Sequence, residues 1–310
     1  MRKIVLLLIA ILVTPIAYTK AETVEVNQEI TSEESEADEK DEEPEKPKYW
    51  TIKNAIIFSS EHNVFENWEQ GGVSSFSFSA FYRGSYNYKR NKTTWDNSAE
   101  LGYGLLRQDV SGQGIMHNSN AFLKSDDKIE LNSIFGYKAV KKWNYSGLLN
   151  LRSQFYDGMK DDALVTSTLS PAVLTSSLGF EYKPDPSFSA LFSFLTGKTT
   201  YVMKNELAQP GKFGLTEPNQ HFHFSLGSYI KLFYEKDLFK NVHVVSKLEF
   251  YYDYKKTTLL DTDINFETMI TMKVNKYLST FLHIQMIMDK DFNSTLQVKE
   301  RFGISIPITF

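Results

Sequence analysis

SSFSFSAFYRGSYNYKRN, residues 74–91, divides by parity. One set of alternate residues is Phe76, Phe78, Ala80, Tyr82, Gly84, Tyr86 and Tyr88, and the other is Ser75, Ser77, Ser79, Phe81, Arg83, Ser85, Asn87 and Lys89. Strict alternation describes a strand with one oily and one wet face. In a soluble protein the oily face would meet a core, so what it meets here decides the fold.

The same division recurs along the chain. In NSAELGYGLL (97–106) Ala99, Leu101, Tyr103 and Leu105 oppose Ser98, Glu100, Gly102 and Gly104. WNYSGLLNLRSQF (143–155), HFHFSLGSYIKLFYE (221–235) and NVHVVSKLEFYYDY (241–254) repeat it. About twelve strands are expected, near 51–61, 73–90, 93–108, 121–139, 143–157, 172–183, 187–200, 219–235, 241–256, 263–275, 278–289 and 295–310. Their connections alternate long and short, HNVFENWEQGG followed by RNK and DVSGQGIMHNSN followed by VKK.

An even number of antiparallel strands with alternating faces and unequal loop ends describes a transmembrane up-and-down β-barrel whose oily face meets lipid. A soluble sandwich or lipocalin-like barrel would turn the apolar face inward, but its outer face would then carry Ser, Asn, Gln and Gly with little Lys. Trp50, Trp95 and Trp143 fall near the short-turn end, where an aromatic girdle belongs. Both termini are expected on that same, periplasmic, side of an outer membrane.

MRKIVLLLIAILVTPIAYTKAET has the cations, the short apolar run and the small residues of a signal peptide, assigned to residues 1–21. Residues 22–48 hold 12 acidic residues and 3 Lys, a composition that predicts a disordered periplasmic spacer, with a periplasmic partner as one role for it. The barrel is assigned to 49–310. With the three cations of the leader and the excess of nine negative charges in the spacer set aside, the formal −4 of the chain leaves the barrel near +2. No broad basic surface argues for nucleic acid. With no cysteine in the chain, thiolate chemistry, disulfides and an N-terminal lipid anchor are excluded.

The closing RFGISIPITF sets Gly303 before Ile304, Ile306, Ile308 and Phe310 at one parity, which resembles the terminal-strand signal read by the outer-membrane barrel assembly machinery. NWEQGGVSSFSFSA (67–80), WDNSAELGYGLLRQD (95–109), KSDDKIELNSIFGYK (124–138), WNYSGLLNLRSQFYDG (143–158), LSPAVLTSSLGFEYKPDPSFSALFSFLTGK (169–198) and LQVKERFGISIPITF together resemble a family of Bacteroidota outer-membrane barrels of unknown function, DUF3078. The resemblance implies a signal peptide, a barrel and an outer-membrane location. It supplies no activity and no catalytic residues.

The polar parity places Arg83, Asp96, Glu100, Glu130, Arg152, Lys231, Lys247, Glu249, Asp253, Glu267, Lys273 and Arg301 in the lumen. They either line a narrow passive pore, the reading placed first, or pair across the lumen and plug it, leaving a structural or accessory barrel that binds partners. His221 and His223 are two residues apart on one face, but no carboxylate stands near them in sequence, so they are read as polar lumen residues and no metal or cofactor is expected. With no G-x-S-x-G, a hydrolase has no identifiable nucleophile. Asp126 and Asp127 in KSDD either bind a cation or solvate the outer rim, the second reading placed first, and Trp68 in NWEQGG is read as packing a loop over the mouth.

Overall fold

The computed structural model describes residues 49–65, 73–109, 122–160 and 163–310. The leader, the acidic spacer and the Trp68 loop lie outside these residues. Twelve strands close into one antiparallel barrel. In chain order they are β1 (Trp50–Asn63), β2 (Ser75–Arg90), β3 (Thr93–Gln108), β4 (Phe122–Val140), β5 (Trp143–Ser153), β8 (Ala172–Asp185), β9 (Phe188–Tyr201), β10 (Phe222–Phe239), β11 (Val242–Asp253), β12 (Asp263–Lys273), β13 (Ser279–Asp289) and β14 (Asn293–Thr309). A separate hairpin, β6 (Gly158–Lys160) with β7 (Ala163–Thr166), stands in the connection between β5 and β8. Each barrel strand pairs with its chain neighbour, and β1 meets β14 to close the ring.

The parity of the sequence becomes an inside-out burial pattern. On β2, Phe78 is exposed while Ser77 and Ser79 are buried. On β5, Leu149 is exposed while Leu148 and Asn150, on either side of it, are buried. Most of the buried residues are polar, Ser79, Glu130, Asn150, Glu181, Thr196 and Glu249 among them, and the outward set is aromatic and aliphatic. A soluble barrel would reverse that assignment. Apolar clusters are small and local: Leu148, Leu191, Tyr229 and Tyr251 inside the barrel, and Val202, Leu207, Ala208, Phe213 and Leu215 in the β9–β10 connection.

The turns explain the asymmetry of the two ends. β2–β3 and β10–β11 turn through Asn91 and Asn241 with φ of 52° and 70°, the left-handed geometry that tight hairpins need and Asn tolerates. β5 is shorter than the expected 143–157. It stops at Ser153 because the next donors leave the ladder: Phe155 and Tyr156 give their backbone N–H groups to the Asp127 carboxylate at 2.6 and 2.9 Å. The Gln154 amide turns to the Ser170 carbonyl at 2.8 Å.

Candidate functional site

Polar side chains meet in the middle of the barrel because the register puts them in rows. Arg83, Glu100, Glu130 and Arg152 are successive partners on β2, β3, β4 and β5. Across the interior, Lys231 stands opposite Glu249 on β10 and β11, and Lys247 opposite Glu267 on β11 and β12. Two carboxylates directly opposite each other, Glu100 and Glu130, repel unless cations separate them. Lys128 Nζ is 2.7 Å from Glu100 and 3.0 Å from Glu130, and Lys247 Nζ is 3.1 Å from Glu100 and 3.8 Å from Glu130.

Several contacts join strands that are not neighbours in the sheet and so pass through the barrel. Lys128 of β4 reaches Glu267 of β12 at 3.0 Å. Arg152 of β5 binds Glu130 at 3.0 Å and Glu249 of β11 at 2.5 Å. Lys231 of β10 donates to Asn132 of β4 at 3.0 Å and lies 3.5 Å from Glu249. Tyr229 and Asn265 complete the shell of Glu249 with donors at 2.9 and 3.2 Å, and His283 Nε2 lies 3.0 Å from Glu267. The result is a septum of four carboxylates (Glu100, Glu130, Glu249, Glu267) and four cations (Lys128, Lys247, Arg152, Lys231). Charges this deep are tolerable only when paired and hydrogen-bonded.

A cavity of about 380 Å³ lies on one side of the septum, with Phe81, Lys198, Tyr251 and Asp263 in its wall. Another of about 220 Å³ lies on the other, with Asp96, Glu181, Lys183 and Phe233. Glu100 and Glu130 line both.

The remaining sequence-selected residues sit apart. Arg83 leans on Glu100 at 3.9 Å, and Asp96 pairs with Lys183 at 2.7 Å. Asp253 is buried at the end of β11, where it accepts the Lys255 N–H at 2.8 Å. Lys273 is exposed at the end of β12. Arg301 pairs with Asp126 and Glu61 between the rings of Phe81 and Phe281. His221 Nδ1 lies 2.6 Å from the Val202 carbonyl oxygen.

The rim assignment of Asp126 is corrected by the structure. A bulge opposite Gly104 brings Ser125 and Asp126 to one face, and a Cβ on Gly104 would meet both side chains, at 2.6 and 3.0 Å. Asp126 is buried against Lys299 and Arg301. Asp127 instead caps the start of the β5–β8 connection. The sequence reading also passed over Lys128, Lys198, Asp263, Asp289 and Lys299. Lys128 and Lys299 each stand two residues from a selected residue, Glu130 and Arg301, so parity alone was enough to include them.

Among the described residues, two carboxylate trios come close enough together to hold a cation, Glu100–Glu130–Glu267 and Asp263–Asp289–Asp291. Each already holds ammonium groups, Lys128 in the first and Lys198 and Lys256 in the second.

At the short-turn end, Trp50 and Trp95 rings lie 6.0 Å apart and Trp143 lies 5.0 Å from Tyr182. At the seam, Ile304, Ile306 and Ile308 are exposed, and Phe310 exchanges backbone hydrogen bonds with Asn54 at 3.0 and 3.2 Å. Gly303 permits close passage there, since a Cβ on it would stand 2.9 Å from the Ser60 carbonyl oxygen.

One part of the chain matches a family model, that of a protein of unknown function. Residues 61–159 match DUF3078. The DUF3078 stretch runs from the end of β1 through β5 and so carries Arg83, Glu100, Lys128, Glu130 and Arg152, one side of the septum. No curated protein matches the sequence. Among solved structures, an outer membrane channel from Pseudomonas putida is 9% identical over 86% of this chain and 99% of that one, with a TM-score of 0.39. An active-site mutant of outer membrane phospholipase A from Escherichia coli is 13% identical over 86% and 94%, at 0.36. The translocator domain of the autotransporter NalP from Neisseria meningitidis is 12% identical over 85% and 90%, at 0.35. These likenesses concern fold alone.

Proposed function

We propose that this chain is an integral outer-membrane barrel of the channel class, closed at rest by its charged septum. The observation that carries the proposal is the set of bonds from Lys128 to Glu267 and from Arg152 to Glu249, which tie opposite walls together between two cavities. A septum built of side chains is a gate in form, whereas a scaffold filled for rigidity needs no cavities on either side of its plug. The exposed aromatic and aliphatic belt supports insertion in lipid. Charge around a constriction selects solutes, and here Arg83, the loosely paired cation, is the residue through which that selection acts. Tyr49, where the described part of the chain begins, and Phe310 lie at the short-turn end, which we assign to the periplasm, and the exposed Ile304, Ile306, Ile308 and Phe310 are assigned to recognition by the barrel assembly machinery.

Planar-bilayer recording of the full-length chain tests this. The parent barrel is expected to stay quiet. Removing bridges pairwise, by Lys128→Ser with Glu267→Ser and Arg152→Ser with Glu249→Ser, is expected to give steady ohmic steps, since paired removal leaves no orphan charge at those positions. Steady conductance in the parent would refute the closed septum. Silence from the folded fourfold variant would refute the channel and favour an accessory barrel that binds partners.

A further inference from the structure

Exposed cations ring the short-turn end of the barrel. At the long-loop end Lys124 pairs with Asp127, Lys204 with Asp157, Lys256 with Asp291 and Lys290 with Asp261, while Lys160, Lys212 and Lys255 are exposed and make no ion pair among the described residues. At the short-turn end, Arg90 and Lys92 flank the β2–β3 turn, Lys141 and Lys142 form the β4–β5 turn, Lys240 stands in the β10–β11 turn and Lys276 in the β12–β13 turn. All are exposed, and among the described residues none of them makes an ion pair. The exposed carboxylates near these turns are Asp185, Glu235 and Asp237, of which the last two face His243.

Two features define what such a collar fits. It is spread over four turns around the circumference, where a folded partner gripping one side would call for a single patch. It also lies immediately beyond the aromatic belt: Lys142 adjoins Trp143, and Lys92 is three residues from Trp95, about 10 Å along a strand. Tryptophan and tyrosine belts mark the headgroup level of a bilayer, so cations just beyond them stand among lipid phosphates. Lysines near an anionic leaflet attract it within about a Debye length, ~10 Å at 0.1 M salt.

We propose that this rim is a collar that recruits anionic phospholipid, recognising the headgroup phosphate in the leaflet at the short-turn end. The proposal rests on the barrel spanning a membrane, and the test separates the two. The full-length chain is refolded into phosphatidylcholine vesicles containing spin-labelled phosphatidylglycerol or spin-labelled phosphatidylcholine, and the relative association of each label with the barrel is measured. A several-fold preference for phosphatidylglycerol is expected. It should fall to parity when Lys92, Lys141, Lys142 and Lys240 are changed to Gln, and persist when the same four are changed to Arg. Heat-modifiable migration checks that each variant is folded.

Parity in the parent, or a preference that the Gln set retains, overturns the collar. If inorganic phosphate abolishes the preference where chloride of equal ionic strength does not, the rim is a small-anion site and the lipid proposal fails. Polyglutamate bound by the parent that shows no lipid preference assigns the rim to an acidic polypeptide instead, which also refutes it. Absence of any motionally restricted lipid signal would refute membrane insertion itself, a separate result from insertion without headgroup preference.

Discussion

Lysine serves two opposite purposes in this barrel, and the comparison between its septum and its short-turn rim shows what sets each. Lys231 and Lys247 lie in the interior and are surrounded by carboxylates and an amide, whereas Lys141 and Lys142 stand in water with no counterion among the described residues. Removed from water, an ammonium group must be neutralised by neighbours or it will not stay charged. On the surface it keeps its hydration and remains available to something outside the protein. Sequence places the first kind at the polar parity of the strands and the second in a tight turn.

The sharpest way to break the comparison is to remove one partner inside and one cation outside. Glu249→Ala strands Arg152 and Lys231 in the interior and is expected to cost about 3–5 kcal/mol. Lys141→Ala should stay within about 0.5 kcal/mol. Urea unfolding in lipid, followed by tryptophan fluorescence, measures both, and equal effects would mean that the septum is hydrated like the rim.

A smaller difference separates depth along the outer face. Leu149→Arg introduces a charge near the middle of β5 and should cost about 2–4 kcal/mol if that level is the bilayer midplane, whereas Trp143→Arg at the turn end should cost about 1 kcal/mol or less of charge burial. The same unfolding experiment reports both, and reversal of that order would move the membrane band along the barrel.

The smallest effect concerns Asp157, in the β5–β8 connection beyond the strands. Hydrogen bonds from Ser167 and Lys204 hold its carboxyl below the usual carboxylate range. A depressed value in the folded state means that its contribution is present above the ordinary carboxylate range and is lost as pH falls through the lowered value. Amide exchange in the β6–β7 hairpin, corrected for intrinsic rates, should therefore show less protection in acid, and Asp157→Asn should remove that dependence. The group is half in solvent, which keeps the effect modest.

Alternation made the barrel legible because a two-residue period on twelve strands is a repeated signal, and strand ends such as 93–108 coincide with those observed. What broke the pattern was local. The β4 bulge at Ser125 shifts the register beyond Asp126, which itself keeps the parity of Lys128 and Glu130, and residues 154–157 of an expected strand leave the ladder, Phe155 and Tyr156 giving their N–H groups to Asp127. The septum was half legible. Parity supplied Glu100, Glu130, Arg152, Lys231, Lys247, Glu249 and Glu267, but which of them touch depends on closure, a property of the whole sheet. The collar escaped notice because net charge averages over the molecule, and a near-neutral barrel can still be polar from end to end.

The seam between β1 and β14 gives the ring a beginning and an end in time. Its pairing runs only from Ala55↔Thr309 to Ser60↔Ile304, whereas β1 and β2 pair from Trp50↔Tyr88 to Asn63↔Ser75. Every other junction joins segments adjacent in the chain order of the barrel, so the hairpins can zip locally, while the seam must bring residue 55 to residue 309. Loop closure of that length carries the largest entropic cost and places this step last. Until then both edge strands offer bare backbone. The half-finished barrel is thus an adhesive sheet, and its shortest ladder is the latch that makes it a closed wall.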